Sequence, residues 1–401
     1  MHDTLPGASV IVHGARKCDV DGEADGFWAA FDGDRITATG QGAGWAEHAG
    51  DDAEVVDAAG AVLTPGFIDL HVHGGGGHSF DEAGDGGTAG IARALAVHRA
   101  HGTTRSLLSL VANPVAAIER SLAAIADLAR QDPLVLGSHL EGPFLSAARK
   151  GAHNQDFLLH PAPAAVARLV AAAAGTLRQI TIAPELPGAL DVIPALADAG
   201  VVVAVGHTEA DEEQAQAAFD RGATMLTHAF NAMPGIGHRA PGPVVAAIRD
   251  ERVTAELIVD GVHVHPHVAR LLLNASAGRV ALISDAMAAA GAADGSYRLG
   301  SLDVAVVDGV ARLAGPDGSA RNGTGAIAGS TLTLDRALRV ATRQCGLSLY
   351  AAVTALTWVP ARVLGLEGRL GRLAPGYAAD AVLLSDAGEV RAVWGAGRRL
   401  A

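Results

Sequence analysis

Cysteine is nearly absent from the 401-residue chain: Cys18 and Cys345 are the only two, far apart and in no paired motif. That excludes a disulfide framework and a cysteine-built zinc site, and it suits a reducing cytosol, so a cytoplasmic protein is expected. Lysine is equally scarce, with only Lys17 and Lys150. Positive charge as a whole is short: 30 basic residues face 43 acidic ones, for a formal net charge of −13, and no basic run occurs. Nucleic acid is thereby excluded as a partner. An anionic ligand would have to be drawn in by a few local Arg and His residues against the overall field. Long apolar runs are missing too. Residues 1–6 hold no basic segment followed by an apolar one, so no signal peptide is expected. The Ala-rich stretch 166–177 is short and interrupted by Arg168. It reads as a packed helix, and no membrane partner is expected.

What the chain does have is apolar residues, at 49%, and 50 glycines. A large core and tight turns follow. The first 60 or so residues read as short strands with Gly and Asp turns (8–12, 35–39), and the chain's end reads the same way (381–384, 390–393). Between them, eight short apolar runs alternate with Ala/Leu/Arg segments of helical period. The runs are 67–73, 103–111, 134–141, 179–185, 201–207, 224–230, 254–259 and 280–285, with helical segments such as 89–100, 115–130, 164–174, 190–199 and 211–221. Eight βα units point to an α/β protein with a closed (β/α)8 TIM-type barrel, a fold that absorbs about 250 residues in one domain. An open doubly wound sheet is the alternative, but no Gly-rich phosphate loop follows the first run. The expected organisation is a small β-sandwich domain from both chain ends (1–63 and 367–401) and a barrel over 64–366. Residues 288–328, rich in Gly, Asp and Ala with strand-like pieces at 302–307 and 310–313, read as a lid-like insertion.

Polar residues stand where the apolar runs end. His71 and His73 close the first run, Glu141 the third, Glu185 the fourth, His207 the fifth, His228 the sixth and Asp285 the eighth. Strand C-termini of a barrel converge on one mouth, so residues more than 200 positions apart can meet there. Residues two apart in a strand point to one side, so the His-X-His pair can reach one metal. Imidazole and carboxylate ligands suit zinc, iron, manganese or cobalt. Such an ion lowers the pKa of bound water to about 7 and polarises a carbonyl. Asp285 is placed to accept the water's proton and return it to a leaving nitrogen, and its other readings are a further ligand or a helix cap. His153 and His263 lie in loops on the mouth side, where a lone histidine is more often simply solvated. His2, His13, His48, His98, His101 and His160 lie elsewhere and receive no role.

At these residues the chain resembles the amidohydrolase superfamily, and more closely the N-acetylglucosamine-6-phosphate deacetylases. The matching stretches are 65–77, 139–144 with 150–154, 206–208, 227–234 with 239–242, 260–263, 284–287, 326–330 and 368–380. The first and last are superfamily-wide, while 227–234 (Thr-His-Ala-Phe-Asn-Ala-Met-Pro) and the Glu-Gly-Pro stretch are more specific. The resemblance implies that Glu141, His207 and His228 hold the main metal and that Asp285 is general base and then acid. It implies that His153 polarises the acetyl carbonyl. Ala152, Asn231 and Ala232 would contact the sugar or its phosphate, Arg239 and His263 the phosphate, and Ile327 and Ala328 the loop shaping the pocket. The equivalent arginine can reach into the neighbouring subunit's site, which implies a homodimer. Some relatives lack the His-X-His pair and work with one metal. This chain keeps His71 and His73, which makes one or two divalent cations possible per subunit, two being preferred, with zinc the leading expectation.

Superfamily members that open cyclic ureides commonly use a carboxylated lysine after the fourth strand. The fourth run here ends in Ala183-Pro184-Glu185 without one. The expected reaction is therefore hydrolysis of the acetamide of a phosphorylated amino sugar, N-acetylglucosamine 6-phosphate. The alternatives are another N-acyl amino sugar, such as the galactosamine epimer, and a non-catalytic metal-binding barrel.

Overall fold

The computed structural model describes residues 8–315 and 325–401; part of the expected insertion, residues 316–324, lies outside the described residues. Eight parallel strands follow one another around a barrel in chain order: β1 (Phe67–Val72), β2 (Thr103–Leu110), β3 (Val135–Glu141), β4 (Leu177–Ile182), β5 (Val202–Val205), β6 (Met225–Leu226), β7 (Thr254–Ile258) and β8 (Val280–Ile283). Each is followed by a helix, from Thr88–Ala100 after β1 to Leu334–Arg343 after β8. Val115–Gln131 shows why: Ile118, Leu122 and Ile125 recur at helical spacing and are buried. Glu212–Asp220 starts at a capping box, with Asp211 accepting from the Gln214 N–H and the Gln214 side chain answering to the Asp211 N–H.

The seam between β8 and β1 closes just past the end of β8. The Asp285 N–H donates to the His71 carbonyl at 2.8 Å, and the His73 N–H to the Ala286 carbonyl at 2.8 Å. Beneath them the fully buried Asp69 accepts from the Ser284 N–H at 3.2 Å and the Ser284 hydroxyl at 2.5 Å. Burial pushes the Asp69 carboxyl up to about 6, although the bonds from Ser284 oppose the shift.

The two chain ends meet in one branched sheet. Val62–Pro65 pairs antiparallel with Ala381–Leu384 and parallel with Ala8–Asp19, whose first half pairs instead with Ala49–Asp57. The change of partner falls at Gly14, whose φ of 65° only glycine adopts readily. Trp394 from one end and Phe31 from the other meet edge to face, with ring centroids 6.2 Å apart, in a shared core. The insertion forms an antiparallel sheet of Gly295–Leu299, Leu302–Val307 and Val310–Leu313. Its Leu299, Val304 and Val306 pack on Val111, Ala152 and Met287 at the mouth.

One buried ion pair ties the terminal sheet to the barrel. Arg105 of β2 reaches Asp380 through Nε at 2.6 Å and Nη2 at 3.2 Å, and Asp380 also accepts from the Ala396 N–H at 2.7 Å. Removing one partner of such a pair strands the other charge, at about 3–5 kcal/mol. Asp380→Ala is therefore expected to lower the unfolding free energy in urea by that order. A loss below about 1 kcal/mol would mean that the pair is solvent-screened like a surface one.

Candidate active site

Three of the expected site residues, two ligands and the proposed general base, stand in the same unusual place. The strands end at Val205, Leu226 and Ile283, and His207, His228 and Asp285 each lie two residues further on. The strands are thus shorter than the apolar runs, and these side chains are not held by the pleat. All three have positive φ, at 47°, 22° and 47°. Non-glycine residues adopt this backbone rarely, and it persists where surrounding contacts enforce it. Here it turns the side chains inward over the barrel axis. Gly206 makes room for the first turn: a Cβ there would lie 2.6 Å from Thr227 Cβ and 2.9 Å from Thr181 Cγ2.

Glu141 is the hub. Its Oε1 lies 3.0 Å from His207 Nε2 and 2.9 Å from His228 Nε2, and its Oε2 lies 3.2 Å from both His73 Nε2 and His153 Nε2. Asp285 Oδ1 sits 3.3 Å from His73 Nε2 and 3.5 Å from His71 Nε2. Two buried triads result, Glu141 with His207 and His228, and His71 with His73 and Asp285. Within each, two imidazole nitrogens face one another, at 3.1 Å for His207 and His228 and 3.0 Å for His71 and His73. The His207 Nδ1–H donates to the Arg149 carbonyl at 2.8 Å, so its Nε2 offers a lone pair. Lone pairs converging with carboxylate oxygens at this range fit divalent cations, whose charge offsets their mutual repulsion.

Electrostatics follow from the same contacts. Burial alone would push the Glu141 carboxyl up, but His71, His207 and the bond from His153 hold it well below the usual range. Burial likewise opposes ionisation of Asp285, and His71 and His73 outweigh it, so that carboxyl is held low. Burial drives His153 down to about 4 despite the neighbouring Glu141, so this ring is neutral. Its Nδ1 accepts from the Ala112 N–H at 3.2 Å, which leaves the proton on Nε2, the nitrogen facing Glu141. His263 is the opposite case. Burial would lower it, but Asp260, whose Oδ2 accepts from Nδ1 at 2.7 Å, raises it above its ordinary value.

These groups open into a cavity of about 330 Å³, at the small end of the range for small-molecule sites. His73, Glu141, Ala152, His153, His207, His228, Asn231, Ala232, His263, Asp285 and Ile327 line it. Ala328 is buried behind its wall, packed with Ala152 and Met287. Arg239 is not brought in. It is exposed beyond His228, with Nη1 2.7 Å from His238 Nε2. Glu185 lines nothing either; it accepts from the Thr208 hydroxyl at 2.5 Å and the Glu209 N–H at 2.7 Å, holding the loop after His207.

A layer under the site escaped the sequence reading. Glu256 on β7 is fully buried and meets His71 Nδ1 at 3.1 Å. His139 lies between Ser109 Oγ at 2.9 Å and Thr181 Oγ1 at 3.0 Å, with its ring 4.5 Å from that of His71. Burial keeps His139 well below its ordinary value and hence neutral. A signal existed: Asp69 and His139 each precede a ligand by two residues, and Glu256 is a lone charge inside an apolar run.

The model of the amidohydrolase family matches residues 62–400. Among curated proteins, an N-acetylgalactosamine-6-phosphate deacetylase of Escherichia coli O157:H7 is 39% identical over 83% of this chain and 86% of its own. An N-acetylglucosamine-6-phosphate deacetylase of Bos taurus is 35% identical over 84% of this chain and 83% of its own. Among solved structures, a mutant N-acetyl-D-glucosamine-6-phosphate deacetylase of Mycobacterium smegmatis, in complex with N-acetyl-D-glucosamine-6-phosphate, superposes with a TM-score of 0.89 at 44% identity, covering 98% of this chain and 100% of that one. A deacetylase of the same name from Pasteurella multocida gives 0.88 at 27% identity, covering 97% and 99%. With the barrel, the two triads and the match over most of the chain in agreement, this protein belongs to the amidohydrolase family.

Proposed function

We propose that the chain hydrolyses the acetamide of N-acetylglucosamine 6-phosphate, releasing acetate and glucosamine 6-phosphate. The observation that carries this reading is one small cavity on which two triads meet, one of them completed by Asp285, with His153 against Glu141. Glu141, His207 and His228 would hold one divalent cation, and His71, His73 and Asp285 a second; zinc suits these ligands first, with iron, manganese and cobalt as alternatives. When bound, the cation supplies an activated water and polarises the carbonyl. His153 donates its Nε2–H to the acetyl oxygen. Asp285 takes the water's proton and hands it to the departing nitrogen. Asn231, Ala232 and Ala152 seat the sugar, Ile327 and Ala328 shape the wall around it, and His263 meets its anionic end.

Arg239 completes the phosphate site from outside its own chain. In this reading the protein is a homodimer, and each exposed Arg239 enters the other subunit's cavity. The planar guanidinium can bond two phosphate oxygens at once. Arg239→Ala is expected to raise KM for the phosphorylated substrate by tenfold or more and to leave KM for unphosphorylated N-acetylglucosamine within about twofold. That factor corresponds to a charge-assisted bond of about 1.5–3 kcal/mol. Equal effects on both substrates would remove the phosphate role. The free, buried Cys18 and Cys345 suit a cytoplasmic location. Among the described residues no helix is long and apolar enough to cross a membrane.

The test is acetate release by metal-stripped and metal-reconstituted protein from N-acetylglucosamine 6-phosphate, with the unphosphorylated sugar alongside. Metal-dependent release that favours the phosphate supports the reading; no release with any of the four metals defeats it. The similarity to the E. coli protein favours one second reading, N-acetylgalactosamine 6-phosphate, and a higher kcat/KM for that epimer would select it.

A further inference from the structure

We propose that Glu256 is the positioning residue that makes His71 a metal ligand, so that this carboxylate decides whether the centre holds its second cation. The proposal rests on the two-cation reading above. Glu256 is completely buried on β7, inside the barrel. Three donors converge on it: Gln179 Nε2 on Oε1 at 2.7 Å, and His71 Nδ1 at 3.1 Å and the His228 N–H at 3.2 Å on Oε2. A carboxylate flanked by donors has no hydrogen to give, so the His71 proton sits on Nδ1. Nε2 is then left with its lone pair, 3.0 Å from His73 Nε2 and 3.5 Å from Asp285 Oδ1. A carboxylate behind a ligating imidazole fixes its tautomer and raises its basicity. His71 alone among the four triad imidazoles has one among the described residues: His207 is backed by the Arg149 carbonyl, and the Nδ1 atoms of His73 and His228 have no partner there.

E256Q tests this. Its amide keeps an oxygen on His71 only if its NH2 faces Gln179, whose own amide must then turn its Oε1, unpartnered among the described residues, toward it, and even then the backing charge on His71 is gone. Metal-free protein titrated with Zn2+ against a chromophoric chelator reads both equivalents. Wild type is expected to take up two. E256Q should keep the first within a few-fold and bind the second about 10–100-fold more weakly. The double variant E256Q/Q179E should restore the second equivalent, because the acid now at 179 engages the amide NH2 and returns its oxygen to His71. Two equivalents of unchanged affinity in E256Q would overturn the proposal. So would equal weakening of both together with a lowered melting temperature, the mark of a merely structural role. A wild type holding one equivalent would overturn the two-cation reading itself, and that failure is seen before any variant is made. If E256Q does not fold, Q179A removes only the donor to Oε1; its second equivalent should weaken in the same direction, and no change there would overturn the proposal.

Discussion

Asp285→Asn lowers kcat by about 10²–10⁴-fold while the protein stays folded and keeps the cation held by Glu141, His207 and His228; this is the expected result if Asp285 moves the proton. The substitution suits the question. Asparagine tolerates the left-handed backbone that Asp285 occupies at φ 47°, so the turn after β8 need not change. The contacts that hold the turn are main-chain bonds, from the Asp285 N–H to the His71 carbonyl at 2.8 Å and from the Ser330 N–H to the Asp285 carbonyl at 2.7 Å, and both survive. An amide oxygen can still face His73. What disappears is a group that takes up a proton and gives it back. Single-turnover acetate release beside metal analysis checks this. Turnover within tenfold of wild type, at equal metal content, would move the proton-transfer role to another residue.

The barrel was legible because its strands are buried on both faces and read as short apolar runs between helical segments. His71 and His73 were legible through the two-residue repeat of a strand. The resemblance supplied roles for His153 and His263, which spacing leaves as ordinary loop histidines. The places where the strands stop were not legible. The runs continue past Val205, Leu226 and Ile283, but bonds across the barrel, such as Asp285 to His71, impose left-handed backbone that no local preference announces. Glu256 was visible as a charge in an apolar run, yet its partners come from β1, β4 and the turn after β6, and one strand's sequence cannot name them. Arg239 marks another limit, since it is exposed and does not line the cavity of its own chain, and its proposed target lies on a second copy.

Glu141→Gln should have the broadest effect of any single change at the site. Each carboxylate oxygen faces more than one imidazole, Oε1 the pair His207 and His228 with His71 at 3.4 Å, and Oε2 the pair His73 and His153. An amide keeps one acceptor and presents NH2 hydrogens to the other pair, and it removes the negative charge that both triads share. Whichever way it turns, at least one ligating imidazole meets a donor where a cation should lie. The loss should therefore exceed the 10–100-fold that follows removal of a group supporting a ligand, and it should fall on both metal equivalents. This sets Glu141→Gln apart from E256Q, which weakens the second equivalent and spares the first. The same Zn2+ titration, read beside acetate release, separates them. If Glu141→Gln keeps its first equivalent at wild-type affinity, then Glu141 is no ligand, and its low carboxyl pKa reflects only the histidines packed around it.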